Sequence, residues 1–217
     1  MWLVGWCFFV PHVSEFDRLP FRRVWYLAKE RCGGVGGVQV VVSQSRYRGG
    51  TMSNDKSYHY NDGEAYIFVI KKLKQRGVDL EDICAKAIEE QKKHGVEASM
   101  ADARKYLINL LHKREIMNVI LTGIYLDEQA EKGLIEGPLQ DIIESDAPSF
   151  GLDESFAFVI TSLFGSIAGT NFGALDVNKT GKAKELDNSK GRVNTFLDDI
   201  FSALVSSLEA KMAHESF

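Results

Sequence analysis

Asp153-Glu-Ser-Phe-Ala-Phe-Val-Ile-Thr-Ser-Leu-Phe-Gly-Ser-Ile-Ala-Gly169 is apolar on every side of a helical wheel, with Phe156, Phe158, Val159, Ile160, Leu163, Phe164 and Ile167 leaving no polar face. No charged residue occurs from Ser155 to Leu175. A helix of this kind belongs either at the middle of a bundle or in lipid. Ser162, Gly165, Ser166, Gly169 and Asn171, together with a charge-rich remainder, favour the bundle. The segment is therefore expected to be a central helix surrounded by the others.

The flanking sequence reads as helix on both sides. Downstream, Leu197, Ile200, Phe201, Leu204, Leu208 and Met212 recur at three- and four-residue steps, predicting one core face on a helix from Thr195 to about Met212. Upstream, Asp62–Arg76 stops at Gly77, and Asp79 with Asp82 opens a helix that runs to Lys92-Lys93. Ser99 and Asp102 cap a third helix through Leu110-Leu111, and Arg114–Lys132 forms a fourth. Pro138 stands as the first residue of a short helix to Ser145. No stretch alternates as a strand should, and no Asn-Gly or Asp-Gly turn links two β-rich runs. The expected class is all-α, a multihelical bundle.

Composition narrows the function. The 217 residues are 45% hydrophobic and 26% charged, which excludes disorder and fibrous repeats. A net charge of −4 argues against a dedicated nucleic-acid binder. Cys7, Cys32 and Cys84 are too scattered for a disulfide framework, and none forms a Cys-x-x-Cys zinc pair. Cys84 falls on the inner face of its helix and reads as core. A reduced, cytoplasmic protein is expected.

Residues 1–51 differ in kind: they hold all three tryptophans, seven of nineteen glycines and a net charge of +4, against −8 for 52–217. The apolar run Trp2–Val10 lacks a preceding Lys or Arg and a cleavage site, so it is a poor signal peptide, and it is too short to span a bilayer. Aromatics followed by Arg18, Arg22 and Arg23 would suit a peripheral membrane anchor. Alternatively, Arg48-Gly49-Gly50-Thr51-Met52 is what a purine-rich ribosome-binding site becomes when translated in frame. The favoured expectation is that Met52 is the true start, leaving 1–51 as an atypical segment and 52–217 as one helical domain. The cluster Gly33-Gly34-Val35-Gly36-Gly37 lacks the Gly-Lys-Ser/Thr ending of a phosphate loop.

The chemistry-bearing residues lie at helix mouths. Asp153 and Glu154 open the apolar helix, and Asp198 and Asp199 occupy the first turn of the last one. Between them runs Thr170-Asn-Phe-Gly-Ala-Leu-Asp-Val-Asn-Lys179, read as a polar loop, followed by Lys190-Gly191-Arg192. Acidic residues in a first turn ordinarily complement the helix dipole. Several carboxylates converging beside a lysine would instead suit a hard cation such as Mg²⁺, with Lys179 or Arg192 neutralising a phosphate. On the wheel Asp198 borders the Leu197/Phe201 face while Asp199 points nearly opposite, so if only one of them faces the site Asp198 is the better candidate. His12, His59, His94, His112 and His214 have no zinc spacing, and no Gly-x-Ser-x-Gly elbow exists.

Thr122-Gly-Ile-Tyr-Leu, Leu152-Asp-Glu-Ser-Phe-Ala-Phe, Phe164-Gly-Ser-Ile-Ala-Gly-Thr-Asn-Phe-Gly-Ala-Leu-Asp-Val-Asn-Lys and Thr195-Phe-Leu-Asp-Asp-Ile resemble the phosphatidylglycerophosphatase A family. The match is to its soluble YutG-like branch, which includes the low-temperature-requirement C proteins, and covers about Tyr58 to His214. The resemblance implies Mg²⁺-dependent removal of phosphate from phosphatidylglycerophosphate, in phospholipid metabolism at or near the inner membrane surface. It also implies a bundle with one helix surrounded by others, and a homo-oligomer. Asp153, Glu154, Asp176, Lys179, Asp198 and Asp199 match the motif positions. The expected metal ligands are Asp153, Glu154, Asp198 and Asp199. The expected catalytic residues are Asp153, Asp176, Lys179 and Asp198, with Asn171, Lys179 and Arg192 on the substrate. Attack by water and attack by an aspartate both stay open. Departures from the membrane-embedded enzymes are Thr180 in place of a proline after the lysine, no Pro-Gly-Thr-x-Gly-Ser stretch, and charged helices such as Asp79–Lys93 in place of membrane spans. The rival class is a non-catalytic helical oligomer that keeps the carboxylates for a divalent cation or a partner.

Overall fold

The computed structural model describes residues 61–148 and 150–215, and the backbone of 28–29 and 40–41. Contacts divide the chain into Met1–Ser57 and Tyr58–Phe217. In the first unit β1 (Ala28–Lys29) pairs antiparallel with β2 (Val40–Val41). The expected start at Met52 and the remaining features of 1–51 lie outside the described residues.

The second unit is all-α. Its described helices are α1 (Asp62–Gln75), α2 (Leu80–Lys93), α3 (Met100–Leu111), α4 (Arg114–Glu131), α5 (Pro138–Glu144), α6 (Leu152–Ser162), α7 (Gly165–Val177), α8 (Gly181–Asp187) and α9 (Leu197–Glu215). Local signals set most of these bounds. Asp79 and Asp82 form a reciprocal capping box at α2, the Ser99 hydroxyl accepts the Asp102 N–H at α3, and Pro138 opens α5. Cys84 is buried in the core. No described helix is long and apolar enough to cross a membrane.

Three expectations need correction. The apolar stretch 153–169 is not one helix: α6 ends at Ser162, and Gly165 at φ +82° takes a left-handed conformation that a side chain would resist, so α7 starts in a new direction. Nor is the stretch central. Ala157, Ile160 and Ala168 face inward, but Phe158, Val159, Leu163 and Ile167 are 40–53% exposed. The helix enclosed on all sides is α9, buried without interruption from Leu197 to Ala210 and packed by α2, α3, α4, α6, α7 and α8. Finally, the segment expected as a polar loop from Thr170 is mostly the second half of α7. Its glycines, Thr170 and Asn171 have little helical propensity of their own, and burial of Phe172 and Ala168 in the packing against α9 supplies what propensity does not.

Candidate functional site

The start of α9 is anchored from α4. Asp127, on the otherwise apolar Gly123/Ile124/Ala130 face, is fully buried and accepts the N–H groups of Phe196 and Leu197, both at 3.1 Å. Burial pushes its carboxyl up to about 8 against these two N–H groups and the nearby Arg76. Arg76 itself is buried and holds the chain just upstream. It pairs with Glu131 at 2.6 Å, and it donates to Asn194 Oδ1 at 2.7 Å and to the Val193 carbonyl. With the backbone secured at 193–197, the next two residues project from a defined position.

Those two residues are Asp198 and Asp199, and both reach the same cavity of about 170 Å³. Asp153 and Glu154 enter it from the first turn of α6, Asp176 from the last turn of α7, and Asp146 from the turn after α5. Lys179 is the cation among these six carboxylates. Its Nζ lies 2.7 Å from Asp198 Oδ2, 3.0 Å from Asp176, and 3.5 Å from both Asp199 and Asp187. Thr195 closes the wall, its hydroxyl donating to the Ile143 carbonyl at 2.6 Å.

The charges are not balanced. Burial raises Asp199 to about 9, with like-charge repulsion from Asp198 and Asp176 adding to it. Burial raises Asp153 to about 7, assisted by Glu154 alongside. Asp198 rises to about 6 because burial outweighs the Lys179 ammonium. Burial works against the Lys179 charge, but the surrounding carboxylates outweigh it and hold the ammonium above the ordinary lysine value. Two trios, Asp153/Glu154/Asp199 and Asp146/Asp187/Asp198, each bring one oxygen per residue within 4.8 Å of the others. Asp153 Oδ1 and Glu154 Oε2 are buried without a hydrogen-bond partner. Orphaned hard oxygens in a polar cavity are what a hydrated Mg²⁺ would satisfy, so the donor set fits that ion.

Of the sequence-predicted residues, Asp153, Glu154, Asp176, Lys179, Asp198 and Asp199 come together. The condition under which the wheel favoured Asp198, that only one of the pair faces the site, does not arise: both line the cavity, with Asp198 nearest Lys179 and Asp199 grouped with Asp153 and Glu154. Two predicted substrate contacts lie elsewhere. Asn171 is five residues before Asp176, about 140° round α7, and donates instead to Glu209 at 2.6 Å. Arg192 is exposed and lies 3.5 Å from the Gln75 carbonyl at the C-terminal end of α1, where a cation suits the dipole. Sequence reasoning missed Asp146, Asp187 and Asp127. For Asp127 a signal existed: a carboxylate in the apolar stripe of α4. Asp146 stands in an ordinary-looking turn before Pro148, and only its φ of +48° marks it.

The model for phosphatidylglycerophosphatase A matches residues 83–214, which contain every residue lining this cavity. The uncharacterized protein YpjQ of Bacillus subtilis is 41% identical over 142 residues, 65% of this chain and 80% of its own length. YutG, also uncharacterized and from the same organism, is 39% identical over 146 residues, 67% and 88% respectively. The crystal structure of low temperature requirement C protein from Listeria monocytogenes superposes with a TM-score of 0.69 at 36% identity, covering 72% of this chain and 99% of that one. With that span of the family pattern and relatives matched over most of their length, the chain belongs to the phosphatidylglycerophosphatase A family.

Proposed function

We propose that this protein is a Mg²⁺-dependent phosphomonoesterase whose substrate, by family, is phosphatidylglycerophosphate. The observation that carries the reading is the convergence of six carboxylates and Lys179 on one small polar cavity. Asp153, Glu154 and Asp199 would hold the metal, which when bound supplies Lewis-acid polarisation of a phosphoryl oxygen. Lys179 offers a permanent positive charge to the phosphoryl oxygens, where charge builds as the ester bond breaks. Asp176 and Asp198 act by position: they grip the ammonium from two sides at 3.0 and 2.7 Å and aim it into the cavity. Asp198 is itself fixed, since its Oδ1 accepts the Asp199 N–H at 2.8 Å.

Phosphate release from phosphatidylglycerophosphate in mixed micelles with Mg²⁺ tests the proposal. Asp198→Asn should lower release about 100-fold or more while its circular dichroism shows it still folded at the assay temperature, and Mg²⁺ should raise the melting temperature of the parent chain. A parent chain that cleaves no phosphomonoester and melts identically with and without Mg²⁺ would transfer the case to a non-catalytic role.

A further inference from the structure

A second cavity, of about 280 Å³, opens where α2, α7 and α9 meet. Glu209 of α9 reaches it and is only 2% exposed. One oxygen, Oε2, accepts the Asn171 amide at 2.6 Å; the other, Oε1, is buried with no partner. The ammoniums of Lys86 and Lys93 act on Glu209 through space but are in contact with other carboxylates, Lys86 also with Glu89 at 3.3 Å. Glu90 is held by Lys86 at 2.8 Å and by Lys93 at 2.6 Å, and Lys86 also donates to the Thr180 hydroxyl at 2.8 Å. Asn178 spends its amide on the Ala174 carbonyl at 3.0 Å. The carboxylate of Glu209 alone has no counter-charge in contact.

The backbone adds to the negative potential. Helices α2 and α7 both end here, at His94 and Asn178, and each C-terminus carries roughly half a negative charge. A cation is therefore favoured. A bare divalent metal is not: it wants several oxygen ligands, and Glu209 belongs to none of the three-carboxylate groupings among the described residues. The space would hold about nine waters at ~30 Å³ each, which suits an organic ion. Ala174 and Leu175 provide an apolar wall for methylene groups.

We propose that this cavity binds a small free primary amine in its ammonium form, with an N–H donating to Glu209 Oε1 and the carbon chain lying along Ala174 and Leu175. The site is independent of the phosphatase reading, since it shares no lining residue with the acidic cavity. It also assigns a use to Asn171, which orients the carboxylate it donates to.

Ethanolammonium chloride is the probe, compared with tetramethylammonium chloride, which has no N–H, and NaCl at equal ionic strength. Ethanolammonium should raise the melting temperature of the full chain by a few degrees beyond either control. Glu209→Gln should abolish that rise. Ala174→Leu, at an exposed position, should fill the cavity and abolish it with Glu209 intact. Equal shifts from all three salts, or an undiminished ethanolammonium shift in Glu209→Gln, overturns the proposal.

Discussion

Lys179 touches four carboxylates while its side chain is 17% exposed, and Asp198, its nearest partner, is 2% exposed. Removing one member of such a cluster costs more than the pair contributes, because the remaining charges stay buried. Lys179→Met should destabilise the metal-free chain by about 2–3 kcal/mol, discounted for partial exposure, read as a lower urea midpoint. Mg²⁺ should recover part of that loss, since a divalent cation supplies the missing positive charge; Lys179→Arg should lose less. An unchanged midpoint in Lys179→Met would mean the carboxylates are already protonated and the cluster carries little charge. The acidic residues themselves were legible because two helix-opening pairs and an Asp-x-x-Lys spacing stand out in the chain. Which of them face one another was not legible. Wheel angles describe one helix in isolation, and Asp199 is buried because Asp153 and Glu154 of α6 and Lys179 all meet it at the first turn of α9.

Among the elements, α4 decides where that first turn sits. Gly123 packs under α9 so tightly that an added Cβ would stand 2.5 Å from Ile200 Cδ1 and 3.0 Å from Phe196 Cβ. Ile200 could swing its terminal methyl aside; Phe196 could not without moving the backbone that Asp127 caps. Gly123→Ala should therefore destabilise by about 1–3 kcal/mol despite the better helix propensity of alanine. It should also weaken the Mg²⁺-dependent rise in melting temperature, because Asp198 and Asp199 lie only two and three residues after Phe196. A more stable Gly123→Ala protein would show that α4 and α9 can separate freely. Helix ends were readable here because caps are local: Ser99 and Asp102 meet as their spacing requires. The second half of α7 was not, since Thr170, Asn171 and Gly173 resemble a loop until the packing partner is known.

At the scale of the whole molecule, apolarity pointed to the wrong centre. The α9 helix carries Ser202, Ala203, Ser206, Ser207 and Glu209 away from its apolar stripe, and a hydrophobicity pattern assigns those positions to water. All five are at most 2% exposed: the four small side chains let surrounding helices approach closely enough to exclude solvent, and Glu209 is covered where Asn171 of α7 donates to it. The α6–α7 pair shows the converse, burying one face while Phe158, Leu163 and Ile167 remain open. The two architectures predict opposite orders of stability loss. Leu204 is 0% exposed and Ile167 is 40% exposed. With α9 at the centre, Leu204→Ala should cost about 2–5 kcal/mol, while Ile167→Ala should cost under about 1 kcal/mol. Urea unfolding of both variants at a common slope measures the pair. The reverse order would return the centre to residues 153–169 and detach the carboxylate cavity from it, since the cavity depends on α9 being held rigidly at its first turn.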